Sequence, residues 1–217
     1  MATVIQPVDQ PVLMDGVSWH TYEALLADGG DHRRTRMAFD QGVLEIVTPN
    51  YEHEHVENIV TRVAEALMNA RRQDYAPAGS TTFKNQGTER GFEPDASYYV
   101  EHAAQVRGLT CIDLEKDPRP DLVIEIAVTH ASMDKLPVYA SLGVPEVWRH
   151  NAGSVQMYRL AGSSYVEVHD STVIPGLSAA RLTGFVRDSL TSPRPDWWHG
   201  VETWVRETIA RECDSDR

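Results

Sequence analysis

The sequence predicts a single α/β domain, and three of its segments carry that prediction. Residues 43–48 (VLEIVT) alternate apolar and polar side chains, which is typical of a strand. Residues 121–128 (DLVIEIAV) form a nearly continuous apolar run, as expected for a strand that is covered on both faces. Residues 52–72 are predicted to form a helix, whose apolar stripe at helical spacing comprises Val56, Ile59, Val60, Val63 and Leu67.

Weaker signals place the remaining elements around these three segments. Further helices are predicted over 20–28, 132–142, the region after 177, and 197–211. Further strands or extended segments are predicted over 75–84, 93–100, 146–150, 155–160 and 165–168. The resulting organisation is an extended N-terminal arm (1–18), a central domain (19–191) and a C-terminal helix (192–217), without internal repeats.

Length and composition indicate an ordinary globular protein of 217 residues. No run approaches the roughly 18 apolar residues of a membrane helix, and the first 15 residues do not resemble a secretory signal. The two cysteines, Cys111 and Cys213, are too few for a disulfide framework or a thiolate metal site. We therefore expect a cytoplasmic protein that does not bind membranes.

The charge balance argues against a protein that binds nucleic acid by broad electrostatic attraction. The chain has 20 basic and 32 acidic residues, a net charge of −12 with neutral histidines. Binding of that kind depends on many contacts between basic side chains and phosphates. An acidic chain can nevertheless act on nucleic acid if divalent cations neutralise its site locally.

Two carboxylates lie within predicted strands, where apolar residues are expected. Asp95 belongs to the strand at 93–100, and Glu125 lies between two isoleucines in the strand at 121–128. A buried carboxylate is costly unless it is paired, hydrogen-bonded or bound to a metal. On neighbouring strands, the two would form an oxygen-ligand site suited to Mg²⁺ or Mn²⁺. An ion pair or an exposed strand end explains Glu125 equally well.

Three other polar residues are candidates for the same site. On the helix at 52–72, Glu52 and His53 fall on the side of the apolar stripe. A polar first turn that favours the helix N-terminus accounts for them at least as well. The run HEHVE at 53–57 lacks the second histidine of the HExxH zinc-peptidase pattern, so we reject that interpretation. Lys135, on the helix predicted after Glu125, is of interest only through its neighbourhood.

Five motifs in order resemble a known family over about residues 19–182. They read GVLEIVTPNYEHEHVENIV, GSTTF, EPDASYYV, PDLVIEIAV and DKLPVYASLGVPEVW. The chain is similar to the Uma-two family of predicted bacterial restriction endonucleases, within the PD-(D/E)XK nuclease superfamily. The resemblance implies a restriction-endonuclease-like α/β fold, with a mixed central sheet flanked by helices and a C-terminal helical appendage.

The resemblance also implies a set of site residues. Asp95 stands at the aspartate of the PD half-motif and Glu125 at the acidic residue of the other half. Ala127 occupies the usual position of the superfamily's lysine, and Lys135 matches a lysine moved to the following helix. Asp121 also follows a proline and competes with Asp95. We prefer Asp95, because its strand is expected to neighbour that of Glu125.

Glu52 and His53 match a Glu-His pair on the first core helix, so the implied metal ligands are Asp95, Glu125 and Glu52. The activity implied is hydrolysis of DNA phosphodiester bonds with Mg²⁺ or Mn²⁺, leaving a 5′-phosphate. Lys135 would orient the attacking water or stabilise charge on the phosphate, and Glu52 or His53 would complete the coordination.

Two other functions are also compatible with the sequence. The net charge and the displaced lysine favour an inactive nuclease fold that serves as a binding or regulatory module. The tryptophans Trp197, Trp198 and Trp204 would be costly to leave exposed, so they pack either on the core or across a dimer. A homodimer would suit cleavage of both strands of a two-fold DNA site.

Overall fold

The computed structural model describes residues 11–30, 34–127 and 133–215, which form two β-sheets and six α-helices. The helices are α1 (Trp19–Gly29), α2 (Tyr51–Ala70), α3 (Ala103–Val106), α4 (Leu136–Ser141), α5 (Ala179–Ser189) and α6 (Arg194–Ser215). The strands are β1 (Val12–Met14), β2 (Arg36–Asp40), β3 (Val43–Val47), β4 (Ala76–Pro77), β5 (Phe83–Asn85), β6 (Arg90–Phe92), β7 (Ala96–Tyr99), β8 (Leu122–Ala127), β9 (Glu146–Asn151), β10 (Ser154–Ala161) and β11 (Ser164–Val168).

The two sheets differ in their strand directions. One is antiparallel and has the order β1-β3-β2-β6-β5. The other has the order β11-β10-β9-β8-β7-β4. It is mixed, because β8 and β9 run parallel to each other while all its other pairs of adjacent strands are antiparallel. The mixed sheet agrees with the predicted fold class, whereas the separate antiparallel sheet was not anticipated.

The segment predicted as one strand, 93–100, contains only β7, and its first three residues connect the two sheets. β6 ends at Phe92 in the antiparallel sheet, and β7 begins at Ala96 in the mixed sheet. Pro94 lies at the crossing, where its missing N–H group costs no ladder hydrogen bond. The buried Glu93 fixes the crossing by accepting a 2.8 Å hydrogen bond from the backbone of Met37 in β2. Asp95 therefore lies directly between the two sheets.

The largest core cluster lies between the mixed sheet and α2, α5 and α6. The predicted stripe of α2 is buried there against side chains of β8. Trp197 and Trp204 of α6 are buried in the same cluster, and Trp198 packs against it. The tryptophans thus pack on the core, which is one of the two alternatives that the sequence left open.

Several predicted boundaries change. Part of the predicted arm forms β1, and β2 was not predicted. α4 begins at Leu136, so Lys135 is its N-cap residue, just before the helix rather than within it. The predicted ends at Val128 and Ser132 lie outside the described residues. α6 begins earlier than predicted and includes Pro195, which a first helical turn tolerates. Within the described chain, none of the helices combines the length and apolar character that crossing a membrane requires.

Candidate active site

Asp95 and Glu125 are brought together by the pairing of β7 and β8. The strands are antiparallel, with Ala96 opposite Ile124. The backbone N–H of Asp95 donates to the carbonyl of Ile124 at 3.2 Å, and that of Ile126 donates to Asp95 Oδ2 at 2.6 Å. The buried Asp95 carboxylate thus contacts the backbone directly next to Glu125. This is the strand adjacency on which the preference for Asp95 depended.

Glu125 is held by two side chains from the region of α4. Lys135 Nζ lies 2.9 Å from Oε2, and the hydroxyl of Tyr139 donates to Oε1 at 2.5 Å. The side chains of Lys135 and Glu125 are only 17% and 13% exposed. Lys135 is therefore an ion-pair partner inside the site and not a solvated surface lysine.

A third acidic side chain, Glu45 of β3, also contacts this lysine. Its Oε1 lies 3.3 Å from Lys135 Nζ, and its Oε2 accepts a 3.0 Å hydrogen bond from the backbone of Met133. Glu45 is buried and was not among the predicted site residues. Its signal was the same as that of Glu125, an acidic residue flanked by apolar side chains within a strand.

On the other side of Asp95, its Oδ1 contacts His53 and Arg36. His53 Nε2 lies 2.8 Å from this oxygen and 3.0 Å from Arg36 Nη1, so it can donate to the former or accept from the latter. Arg36 Nη1 donates to the same oxygen, and Nη2 lies 3.1 Å from Glu57 Oε2. The backbone N–H of His53 donates to the N-cap Asn50, which anchors the first turn of α2. Arg36 was missed because β2 was not predicted.

The two polar residues predicted at the start of α2 separate in the structure. Both were placed on the side of the apolar stripe; His53 is buried there, but Glu52 is exposed, so its placement was wrong. Consecutive helical residues point about 100° apart, so one of the pair can face the sheet while the other faces solvent. No hydrogen bond or ion pair among the described residues connects Glu52 with Asp95 or Glu125.

The competing aspartate, Asp121, lies at the other end of β8. It precedes the strand, four residues from Glu125, which corresponds to about 13 Å along an extended chain. Its oxygens accept hydrogen bonds from the backbones of Val100 and His102 and from His102 Nδ1. Together with Glu101 and His102 it forms a group of potential ligand atoms within 4.8 Å of one another. Its hydrogen bonds indicate that Asp121 stabilises the turn after β7.

The electrostatic environment separates the pKa values of the two central carboxylates. Burial by itself raises the pKa of Asp95, but the hydrogen bond from His53 and the charges of His53 and Arg36 hold it below its usual range. Burial raises the pKa of Glu125 above its usual range, although Lys135 opposes this. Burial favours the neutral form of Lys135, but the charge of Glu125, followed by that of Glu45, raises its pKa above the ordinary value.

The donor set fits a hard divalent cation. The cations Arg36 and Lys135 are in contact with four buried or half-buried carboxylates, those of Glu45, Glu57, Asp95 and Glu125. With every carboxylate ionised, these two cations leave two negative charges uncompensated, or one when His53, which contacts Asp95, is protonated. Carboxylate oxygens are the ligands that Mg²⁺ and Mn²⁺ prefer, and a divalent ion would offset this excess.

A protein-family model described as "Putative restriction endonuclease", Uma2, matches residues 19–187. The chain belongs to the Uma2 family. A search of curated proteins found no match. The fold is similar to the crystal structure of a "putative nuclease belonging to DUF820" from Anabaena variabilis, with a TM-score of 0.55 and 12% sequence identity. The superposition covers 78% of this chain and 99% of that chain. The restriction-endonuclease-like fold predicted for this Uma2 chain is therefore confirmed.

Proposed function

We propose that this Uma2 chain is a metal-dependent endonuclease that hydrolyses DNA phosphodiester bonds. The observation that carries the proposal is that Asp95, directly before β7, lies beside Glu125 of the paired strand β8, with Lys135 in contact with Glu125. A buried cluster of this composition is costly for the fold. A bound divalent cation would lower that cost, and catalysis is the natural use of such a site.

The division of roles follows from the contacts. Asp95 and Glu125 would hold Mg²⁺ or Mn²⁺, and His53, beside Asp95, would orient that carboxylate. When bound, the ion supplies Lewis-acid activation of the phosphate and of water. Lys135 would stabilise the negative charge that develops on the phosphate oxygens. Water would add to phosphorus as the bond to the 3′ oxygen breaks, and the 3′ oxygen would take up a proton in place of the one that the water releases, leaving a 5′-phosphate and a 3′-hydroxyl. Glu52 has no assigned part in this scheme, because it is exposed.

A cleft of about 860 Å³ that borders the site through Arg36 supports a nucleic-acid substrate. Three basic residues (Arg34, Arg36 and Lys84) and three acidic residues (Glu23, Glu54 and Glu93) line it. The cleft thus has no net charge, unlike the strongly acidic chain. The hydroxyl group of Ser80 adds a donor that suits phosphate oxygens, whereas those of Thr81 and Thr82 donate to the carbonyl of Ala78 and to Glu93. We also propose a cytoplasmic homodimer, and the mass of the protein in solution tests the dimer.

The alternative function is that of an inactive nuclease fold that binds a partner. One of its two grounds was the displaced lysine, and the contact between Lys135 and Glu125 weakens that ground. The acidic net charge still favours it. Metal affinity discriminates between the functions, because a binding module does not require a divalent cation.

Mn²⁺ titration by calorimetry, followed by a plasmid cleavage assay, tests the proposal. The wild type is expected to bind Mn²⁺ and to cleave, while Asp95→Asn and Glu125→Gln lose both properties. Glu101→Gln is the control, because it removes a carboxylate from the acidic group at the far end of β8. It is expected to behave as wild type. Cleavage at the wild-type rate by both site variants would exclude this metal centre, and absence of Mn²⁺ binding and cleavage in the wild type would favour the inactive module.

A further inference from the structure

Arg36 is bound to the oxygen of Asp95 that a metal ion would need. Oδ2 of that carboxylate accepts the hydrogen bond from the backbone of Ile126 at 2.6 Å. Oδ1 accepts no backbone hydrogen bond among the described residues; Arg36 Nη1 donates to it, and His53 Nε2 lies 2.8 Å from it. Of these two partners, only Arg36 carries a permanent positive charge. A guanidinium and a divalent cation repel each other, so they do not share this oxygen.

The opposite edge of the guanidinium is held by one turn of α2. Nη2 lies 3.1 Å from Glu57 Oε2 and 3.7 Å from Glu54 Oε1. If Arg36 leaves Asp95, it therefore retains ion-pair partners and does not become an unpaired buried charge. The 860 Å³ cleft borders both Arg36 and Glu54, so the side chain has space to move in that direction.

We propose that Arg36 is the resident counter-ion of Asp95, and that a divalent cation displaces it towards Glu54 and Glu57 when the metal centre forms. The inference rests on the proposed function. Arg36 is then a positioning residue. Without metal it compensates a buried carboxylate that would otherwise destabilise the fold, and it sets the metal concentration at which the centre assembles.

The magnitude follows from the contact that is exchanged. Charge-assisted hydrogen bonds are the stronger ones in proteins, and the metal must break one of them before it binds Asp95 Oδ1. Removing that competitor is expected to tighten Mn²⁺ binding about tenfold, equivalent to about 1.4 kcal/mol. A residue with a purely structural role would weaken metal binding on removal or leave it unchanged.

Calorimetric titration of Mn²⁺ into wild type, Arg36→Gln, Arg36→Lys and Arg149→Gln tests the inference. Arg149 is the matched control, because it lies beside Glu125 in the β8–β9 register while its guanidinium is 3.9 Å from Asp134. The substitution Arg149→Gln removes the same positive charge near the site without removing a contact of Asp95. Arg36→Gln is expected to bind about tenfold tighter than wild type, and Arg149→Gln within about twofold of wild type. Arg36→Lys, whose single ammonium cannot bridge Asp95 and Glu57, is expected to fall between wild type and Arg36→Gln.

Thermal unfolding in chelator and in Mn²⁺ provides the second readout. Arg36→Gln is expected to melt lower than wild type in chelator and to gain more from Mn²⁺. If the glutamine variant does not fold, the lysine variant alone decides. Unchanged or weaker Mn²⁺ binding by the Arg36 variant that folds overturns the inference but leaves the proposed function intact. Tightening of Mn²⁺ binding by Arg149→Gln to the same extent also overturns the inference. Absence of binding by wild type and variants overturns the inference and the proposed metal centre together.

Discussion

Lys135→Met is expected to destabilise the protein strongly, because it removes the ammonium group that contacts Glu125 and Glu45 inside the site. Lys135 Nζ lies 2.9 Å from Glu125 and 3.3 Å from Glu45, and its side chain is 17% exposed. Removing one partner of a buried ion pair costs about 3–5 kcal/mol. Solvent at the partly exposed ammonium places the expected loss in the free energy of unfolding near the lower limit, about 3 kcal/mol.

The matched control is Lys84→Met, the same substitution at a surface pair. Lys84 lies 2.8 Å from Glu23, and both side chains are about 40% exposed. Exposed pairs contribute about 1 kcal/mol or less, so the control is expected to unfold close to wild type. Urea unfolding of the three proteins near neutral pH measures the difference. Equal stabilities of the two lysine variants would refute the description of Lys135 as the buried counter-ion of this site.

The pH dependence of the loss tests its electrostatic origin. Burial raises the pKa of Glu125 above the ordinary 4.5, and in the variant the opposing influence of Lys135 is gone. The folded variant therefore holds the Glu125 proton more tightly than the unfolded chain. The variant loses stability as the pH rises through the pKa of Glu125 in the folded state. It recovers that stability as the pH falls back through this pKa towards 4.5, the ordinary pKa of the group. The difference between Lys135→Met and wild type is expected to shrink on acidification, and a difference that is independent of pH would indicate a packing defect.

Four further substitutions separate the roles of individual side chains. His53→Gln is expected to weaken Mn²⁺ binding about tenfold. Glu52→Gln, at the exposed neighbouring position, is expected to leave Mn²⁺ binding unchanged. Calorimetry in which Glu52→Gln weakens Mn²⁺ binding more than His53→Gln would contradict the orientation of α2. Glu146→Gln is expected to lower the free energy of unfolding, measured in urea, by about 3 kcal/mol. The buried carboxylate of Glu146 accepts hydrogen bonds from backbone N–H groups and from the side chains of Trp148, Ser171 and Thr172. Trp197→Ala is expected to cost about 3 kcal/mol at every protein concentration; a cost that varies with concentration would place this tryptophan at a subunit interface instead.

Local patterns in the sequence were sufficient to predict the elements whose apolar residues form a regular stripe or a continuous run within one segment. The bounds of α2 were predicted to within two residues and the start of β8 to within one, and both elements contribute to the largest core cluster. Burial of apolar side chains depends mainly on spacing along the chain, so the periodicity can be identified without knowledge of the partners. The same reasoning marked Glu125, because a carboxylate in such a run is costly.

The tertiary structure alone decided which charged groups meet. Arg36 and Glu45 reach the site from the antiparallel sheet, and no pattern in their own segments names Asp95 or Lys135 as a partner. Whether Asp95 or Asp121 lies beside Glu125 depended on the register of β7 against β8. These contacts join residues that are distant along the chain. Their geometry follows from sheet pairing and from the crossing at Pro94, whereas the sequence by itself determined only that such carboxylates require partners.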